Sequence, residues 1–117
     1  MAGPKVSWER SVAIITGGSK GIGRVVAQRA VARGARVGLI ARHRDELEQT
    51  LAGLGGSEAG AVAVADVAVR DEVVTALAGL QQVLGPPDIL VNNAGIGAAG
   101  AVATMQVSAI ERVMQVN

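Results

Sequence analysis

Four short apolar runs divide this chain, and each is followed by a glycine or polar break and then by apolar positions at helical spacing. Residues 12–15 (VAII), 35–41 (ARVGLIA), 61–65 (AVAVA) and 88–91 (DILV) lack the apolar/polar alternation of a half-solvated sheet. They read instead as strands of a parallel sheet covered on both faces. Between them, residues 21–33 place Ile22, Val25, Val26 and Ala30 near one helical face and Arg24, Gln28 and Arg33 on the other, with Gly34 as the closing glycine. Residues 42–54 carry Leu47, Leu51 and Leu54 at helical spacing, and Gly53, Gly55 and Gly56 end that segment. A third helix over residues 69–84 lines up Val73, Ala76, Leu77 and Leu80 and stops at Gly85-Pro86-Pro87. Ser108 and Glu111 form an S-x-x-E capping box that opens a last helix. Strands alternating with helices in this way predict an α/β fold, a parallel sheet with right-handed crossovers.

The first break is the most informative one. Residues 11–34, SVAIITGGSKGIGRVVAQRAVARG, run from a strand through a glycine turn into a helix. Gly17 can turn the chain sharply, Gly21 lets backbone approach a pyrophosphate, and Gly23 lets the helix pack close to the sheet. The helix begins with unpaired N–H groups and a partial positive charge, which suits an anion. Alone, such a turn is weak evidence. But Gly17, Arg42, Asp66 and Asn93 all fall just after their strands, so four breaks converge on the rim where ligands of open α/β sheets bind.

Composition narrows the partners. The chain has 117 residues, 50% of them hydrophobic and 18% charged, with a net charge of +1. That is one soluble domain without a basic footprint for nucleic acid, so a small molecule is the expected partner. No cysteine is present, which leaves neither a disulfide framework nor a thiolate metal site. The first ten residues, MAGPKVSWER, lack a signal-peptide core, and no apolar run approaches the roughly 20 residues of a membrane span, so a cytoplasmic location is expected. Trp8, the only aromatic residue, is expected to cover an edge of the sheet. His43 lies between two arginines at a helix start and reads as solvated. A Walker P-loop is excluded because Lys20 is followed by Gly21 where Ser or Thr is required.

TGGSKGIG at residues 16–23, Asp66-Val67 after the third strand, NNAG at residues 92–95 and the terminal VMQVN together resemble the short-chain dehydrogenase/reductase family in order and spacing. The resemblance covers nearly the whole chain, from about residue 7 to 117. It implies a Rossmann-type doubly wound parallel sheet, here about four strands of the family's usual set, forming the N-terminal part of an NAD(P)-binding domain. Carried over by position, Gly17, Gly21 and Gly23 would shape the pyrophosphate turn, with Ser19, Lys20 and Ile22 lining it. Asp66 would accept a hydrogen bond from the adenine amino group beside a backbone contact from Val67. Asn93, Ala94 and Gly95 would lie under the adenosine ribose. The plain reading of Asp66 is an acid at a helix N-terminus.

Cofactor choice has a physical handle. Members that prefer NAD usually present a carboxylate at the end of the second strand, roughly 20 residues beyond the glycine turn, to hold the ribose diol. Here Ala41 is followed by Arg42, whose guanidinium can pair with a 2′-phosphate, and Lys20 adds a second cation. NADP is therefore expected over NAD, with Asp45 the nearby acid that opposes it.

The family's chemistry implies hydride transfer between nicotinamide and a carbonyl or secondary alcohol, served by a tyrosine, a lysine, a serine and an asparagine. Asn117 matches the asparagine. The chain holds no tyrosine, its only lysines are Lys5 and Lys20, and no serine follows Ser108. The expectation is thus an oxidoreductase fragment whose catalytic and substrate-binding part is absent, inactive by itself, and a homo-oligomer at full length. The alternative is a naturally short, non-catalytic nucleotide-binding or partner-binding module.

Overall fold

A computed structural model describes residues 8–17 and 21–92. The elements run β1 (Val12–Thr16), α1 (Gly21–Ala32), β2 (Arg36–Ala41), α2 (Arg44–Leu54), a short 3-10 turn (Gly56–Glu58), β3 (Gly60–Val64), α3 (Arg70–Leu84) and β4 (Ile89–Asn92). The strands are parallel, in the order β3-β2-β1-β4. The chain therefore steps from β1 to β2 to β3 in one direction, and then returns past β1 to place β4 on its other side.

The period of two along each strand sorts its side chains between two apolar layers. Ala13, Ile15, Val37, Leu39, Ile89 and Val91 point to one side and pack with Val26, Ala27 and Ala30 of α1 and Leu47 of α2. Val12, Ile14 and Ile40 point to the other side, against Ala76, Leu80 and Leu84 of α3. Both faces are thus clothed at β1, which is buried along its whole length and shows no alternation, whereas β4, expected to be covered on both faces, alternates buried and exposed positions, with Leu90 55% exposed among the described residues. Gly38 is the tightest joint of the second layer. A Cβ there would stand 2.7 Å from Ile14 Cδ1 and 3.0 Å from Leu80 Cδ1, so the absence of a side chain sets how closely α3 approaches the sheet. At Gly60 a Cβ would run into the Val37 backbone, which fixes the entry of β3.

Several expectations need correction. In α1 the buried stripe is Gly23, Val26, Ala27 and Ala30, while Ile22 and Val25 are 48% and 47% exposed. The small residues win because they let the helix lie close to the strands. Trp8 is buried, 7% exposed, in the same cluster as Val26, Ala27 and Ala30 of α1. β3 is not covered like β1: it is the end strand of the described sheet, with Val64 exposed and its neighbours half-buried. Gly53 lies inside α2, and Gly55, in the left-handed region at φ 122°, terminates it. Asp88 precedes β4 and does not belong to it. Its backbone N–H donates to Val12 O and its Oδ2 accepts the Val12 N–H, each at 2.8 Å, so it clips the start of β4 to β1. His43 caps α2 from an exposed position, as expected. The helix expected from Ser108 lies outside the described residues.

Candidate cofactor site

The register brings the C-terminal strand ends level. Thr16 lies beside Ile40 on one side and Asn92 on the other, and Ala41 lies beside Val64. Because β2 and β4 lie on opposite sides of β1, the strand order reverses at β1, the switch point at which open α/β sheets form their ligand crevice.

Gly17 occupies that point. Its φ of 68° is left-handed, which a side chain would strain, and its N–H donates to Ile40 O at 2.8 Å, so the turn is pinned to the end of β2. Gly21 starts α1 at φ 57°, and a Cβ built on it would meet nothing within 4 Å. It is thus the backbone angle that demands glycine here, since none of the described residues crowds the position. The first turn of α1 contains no acid, whereas α2 begins with Asp45 and Glu46 and α3 with Asp71 and Glu72. The latter two helices neutralise their own N-terminal dipoles, while α1 leaves its positive end for an anion.

The remaining rim is built from two further strand ends. Arg42 follows β2 and is exposed. The next arginine, Arg44, is turned along α2, 3.6 Å from Glu48. Asp66 lies two residues beyond β3 and is held from three sides. Its N–H donates to Glu72 Oε1, its Oδ1 accepts the Ala68 N–H, and its carbonyl oxygen accepts the Val69 N–H, each at 2.9 Å. Asp66 thus shapes the turn into α3 from the rim, three residues ahead of the Val69 cap, and the acids of the helix's first turn are Asp71 and Glu72. Val67 is half-buried against the α3 layer. Gly23 is buried on the sheet-facing stripe of α1, and Ile22 stands exposed on its first turn.

The structure therefore gathers Gly17, Gly21, Ile22, Gly23, Arg42, Asp66 and Val67 around the C-terminal ends of β1, β2 and β3. Ser19, Lys20, Asn93, Ala94, Gly95 and Asn117 lie outside the described residues. Three rim residues escaped sequence reasoning. Thr16 Oγ1 donates to Asn92 Oδ1 at 3.0 Å, drawing the ends of β1 and β4 together beneath the crevice. Glu72 holds the Asp66 turn. Its position, three residues after the cap, carries no capping-box signal, because the cap is Val69, whose side chain has no oxygen to complete the box. A separate groove of about 570 Å³ runs along β3 and α3, between Arg44 and Val83, and includes neither Gly17, Arg42 nor Asp66. Among the described residues no helix is long and apolar enough to cross a membrane.

A parallel sheet with this order, a left-handed glycine at the switch point and an acid-free helix start describe a dinucleotide-type crevice, and residues 11–117 match the family model described as short chain dehydrogenase. The chain belongs to the short chain dehydrogenase family. Among its short chain dehydrogenase relatives, the 2-(S)-hydroxypropyl-CoM dehydrogenase 3 of Xanthobacter autotrophicus is 38% identical over 93% of this chain and 43% of its own length. The rhamnolipids biosynthesis 3-oxoacyl-[acyl-carrier-protein] reductase of Pseudomonas aeruginosa is 37% identical over 97% of this chain and 44% of its own. The crystal structure of a short chain dehydrogenase from Bacillus anthracis aligns with a TM-score of 0.65 at 30% identity, covering 71% of this chain and 35% of that one. The chain thus spans under half the length of these relatives.

Proposed function

We propose that this chain is the cofactor-binding part of an NADP-dependent oxidoreductase that moves a hydride between nicotinamide and a carbonyl or secondary alcohol. The observation that carries this reading is the reversal of strand order at β1, with Gly17 left-handed at its end and an acid-free start to α1. A pyrophosphate fits such a cradle, since backbone N–H groups and the helix dipole both favour it. Arg42, exposed just beyond β2, would pair with the 2′-phosphate, where a carboxylate would instead repel it. Asp66 would accept the adenine amino group beside Val67. Gly23, Ile22, Ser19 and Lys20 would complete the phosphate turn, and Asn93, Ala94 and Gly95 would lie under the ribose. When bound, the cofactor would supply the hydride to a carbonyl or accept it from an alcohol.

The 117 residues include no tyrosine to exchange the accompanying proton, and Asn117 is the one position that matches the family's catalytic set. The purified chain is therefore expected to bind NADPH without oxidising it in the presence of a ketone. Titration of the chain with NADPH and NADH tests the cofactor reading. NADPH is expected to bind at least about tenfold tighter, the worth of one charge-assisted contact of about 1.5–3 kcal/mol, and Arg42→Ala should remove that preference. Equal affinity for the two cofactors in the unaltered chain would overturn it.

A further inference from the structure

We propose that Glu72, on the first turn of α3, is a positioning residue for adenine recognition: it holds the main chain of Asp66 so that the Asp66 carboxylate faces the adenine amino group. This rests on the reading above, in which Asp66 receives that group.

An acid at the third residue after a helix cap ordinarily reaches back to the cap residue's own N–H. In α3 the cap is Val69, and its N–H is already given to Asp66 O at 2.9 Å. Glu72 reaches further, to the N–H of Asp66, at 2.9 Å. With Asp66 Oδ1 accepting the Ala68 N–H, the residue is fixed at its amide, its carbonyl and its side chain. Two of those three bonds are internal to the 66–69 turn and would move with it. The Glu72 bond ties the turn to a helix anchored in the core through Ala76, Leu80 and Leu84. With Ala65, buried and donating its N–H to Ala41 O at 2.9 Å, it sets where the turn sits on the rim, and the second carboxylate oxygen, Oδ2, is the acceptor the adenine amino group would use.

The test compares the dissociation constants of NADPH and of its hypoxanthine analogue, in which a carbonyl replaces the adenine amino group, for the unaltered chain, Glu72→Ala and Glu72→Gln. Recognition through Asp66 gives the unaltered chain a preference for adenine of about tenfold, one hydrogen bond with a charged acceptor. Glu72→Ala should bring the ratio towards one by weakening NADPH alone. Glu72→Gln, whose amide oxygen can still accept the Asp66 N–H, should restore it. A purely structural role would weaken both ligands alike or neither, so the ratio of affinities separates the two. Where Glu72→Ala does not fold, Glu72→Ser, too short to reach Asp66, is read in the same way. An alanine or serine variant that keeps the full preference overturns the role of Glu72 and leaves Asp66 as reader. Absence of any preference in the unaltered chain overturns the Asp66 reading, and this one with it.

Discussion

Arg10 and Gly38 make opposite demands on the backbone, and each yields a stability prediction. Arg10 is held at φ 65°, a left-handed angle, in the turn whose Ser11 N–H returns to Trp8 O. Such a conformation costs a residue with a Cβ about 1–2 kcal/mol. Arg10→Gly should recover up to about 1 kcal/mol of that, since glycine gives part back as unfolded-chain entropy. Urea unfolding that shows no gain would mean the guanidinium compensates. Gly38 is the reverse case, because a methyl there presses on the tips of Ile14, Leu80 and Leu84. Gly38→Ala should destabilise by about 1–3 kcal/mol through overpacking, and Gly38→Val by more. Neither requirement is visible in the sequence, where Arg10 is one polar residue of a lead-in and Gly38 one small residue in an apolar run.

At the scale of elements, the contrast between helix starts predicts a binding effect. Arg24 is exposed on the first turn of α1, the one described helix start without an acid. Arg24→Glu would place a negative charge beside the anion site, and a dipole-scale interaction of about 0.3–1 kcal/mol corresponds to a loss of NADPH affinity of roughly two- to fivefold. Calorimetric titration reads this directly, and unchanged affinity would remove α1 from the phosphate site. The existence and order of these elements were legible because glycine and proline mark their ends: Gly34, Gly55 and Gly85 all stand at positive φ just past a helix. The phase of α1 was not. Hydropathy ranks Ile22 and Val25 above Gly23 and Ala27, whereas close packing on a sheet selects the smaller residues. Nor could the run AVAVA disclose that β3 ends the described sheet, since an apolar strand of small residues reads alike at the centre and at an edge.

For the molecule as a whole, a ligand that binds only the folded form raises its stability. At a concentration one hundred times its dissociation constant the gain is about 2.7 kcal/mol. NADPH should therefore raise the melting temperature of the chain more than NADH at equal concentration, and Arg42→Ala should make the two shifts equal. The rim positions Gly17, Arg42 and Asp66 could be placed from the sequence because each directly follows an apolar run. The Thr16–Asn92 contact could not, since it joins residues 76 apart whose nearness exists only once β1 and β4 are paired, and the local Asp66–Glu72 contact was hidden because Val69 at the cap offers no capping-box pattern.

The return of β4 to the far side of β1 also has a bearing on how the chain assembles. β1, β2 and β3 follow one another along the chain, but the clasps Val12–Asp88 and Thr16–Asn92 each span 76 residues. Contacts so distant in the chain close late, because the entropy of the intervening loop must be lost before they form. Pulsed deuterium labelling during refolding should find the β1–β2 amides protected before those of Ile89–Asn92. The crevice above β1 would then be among the last parts of the fold to exist, and the nucleotide would meet a wall that has only just closed.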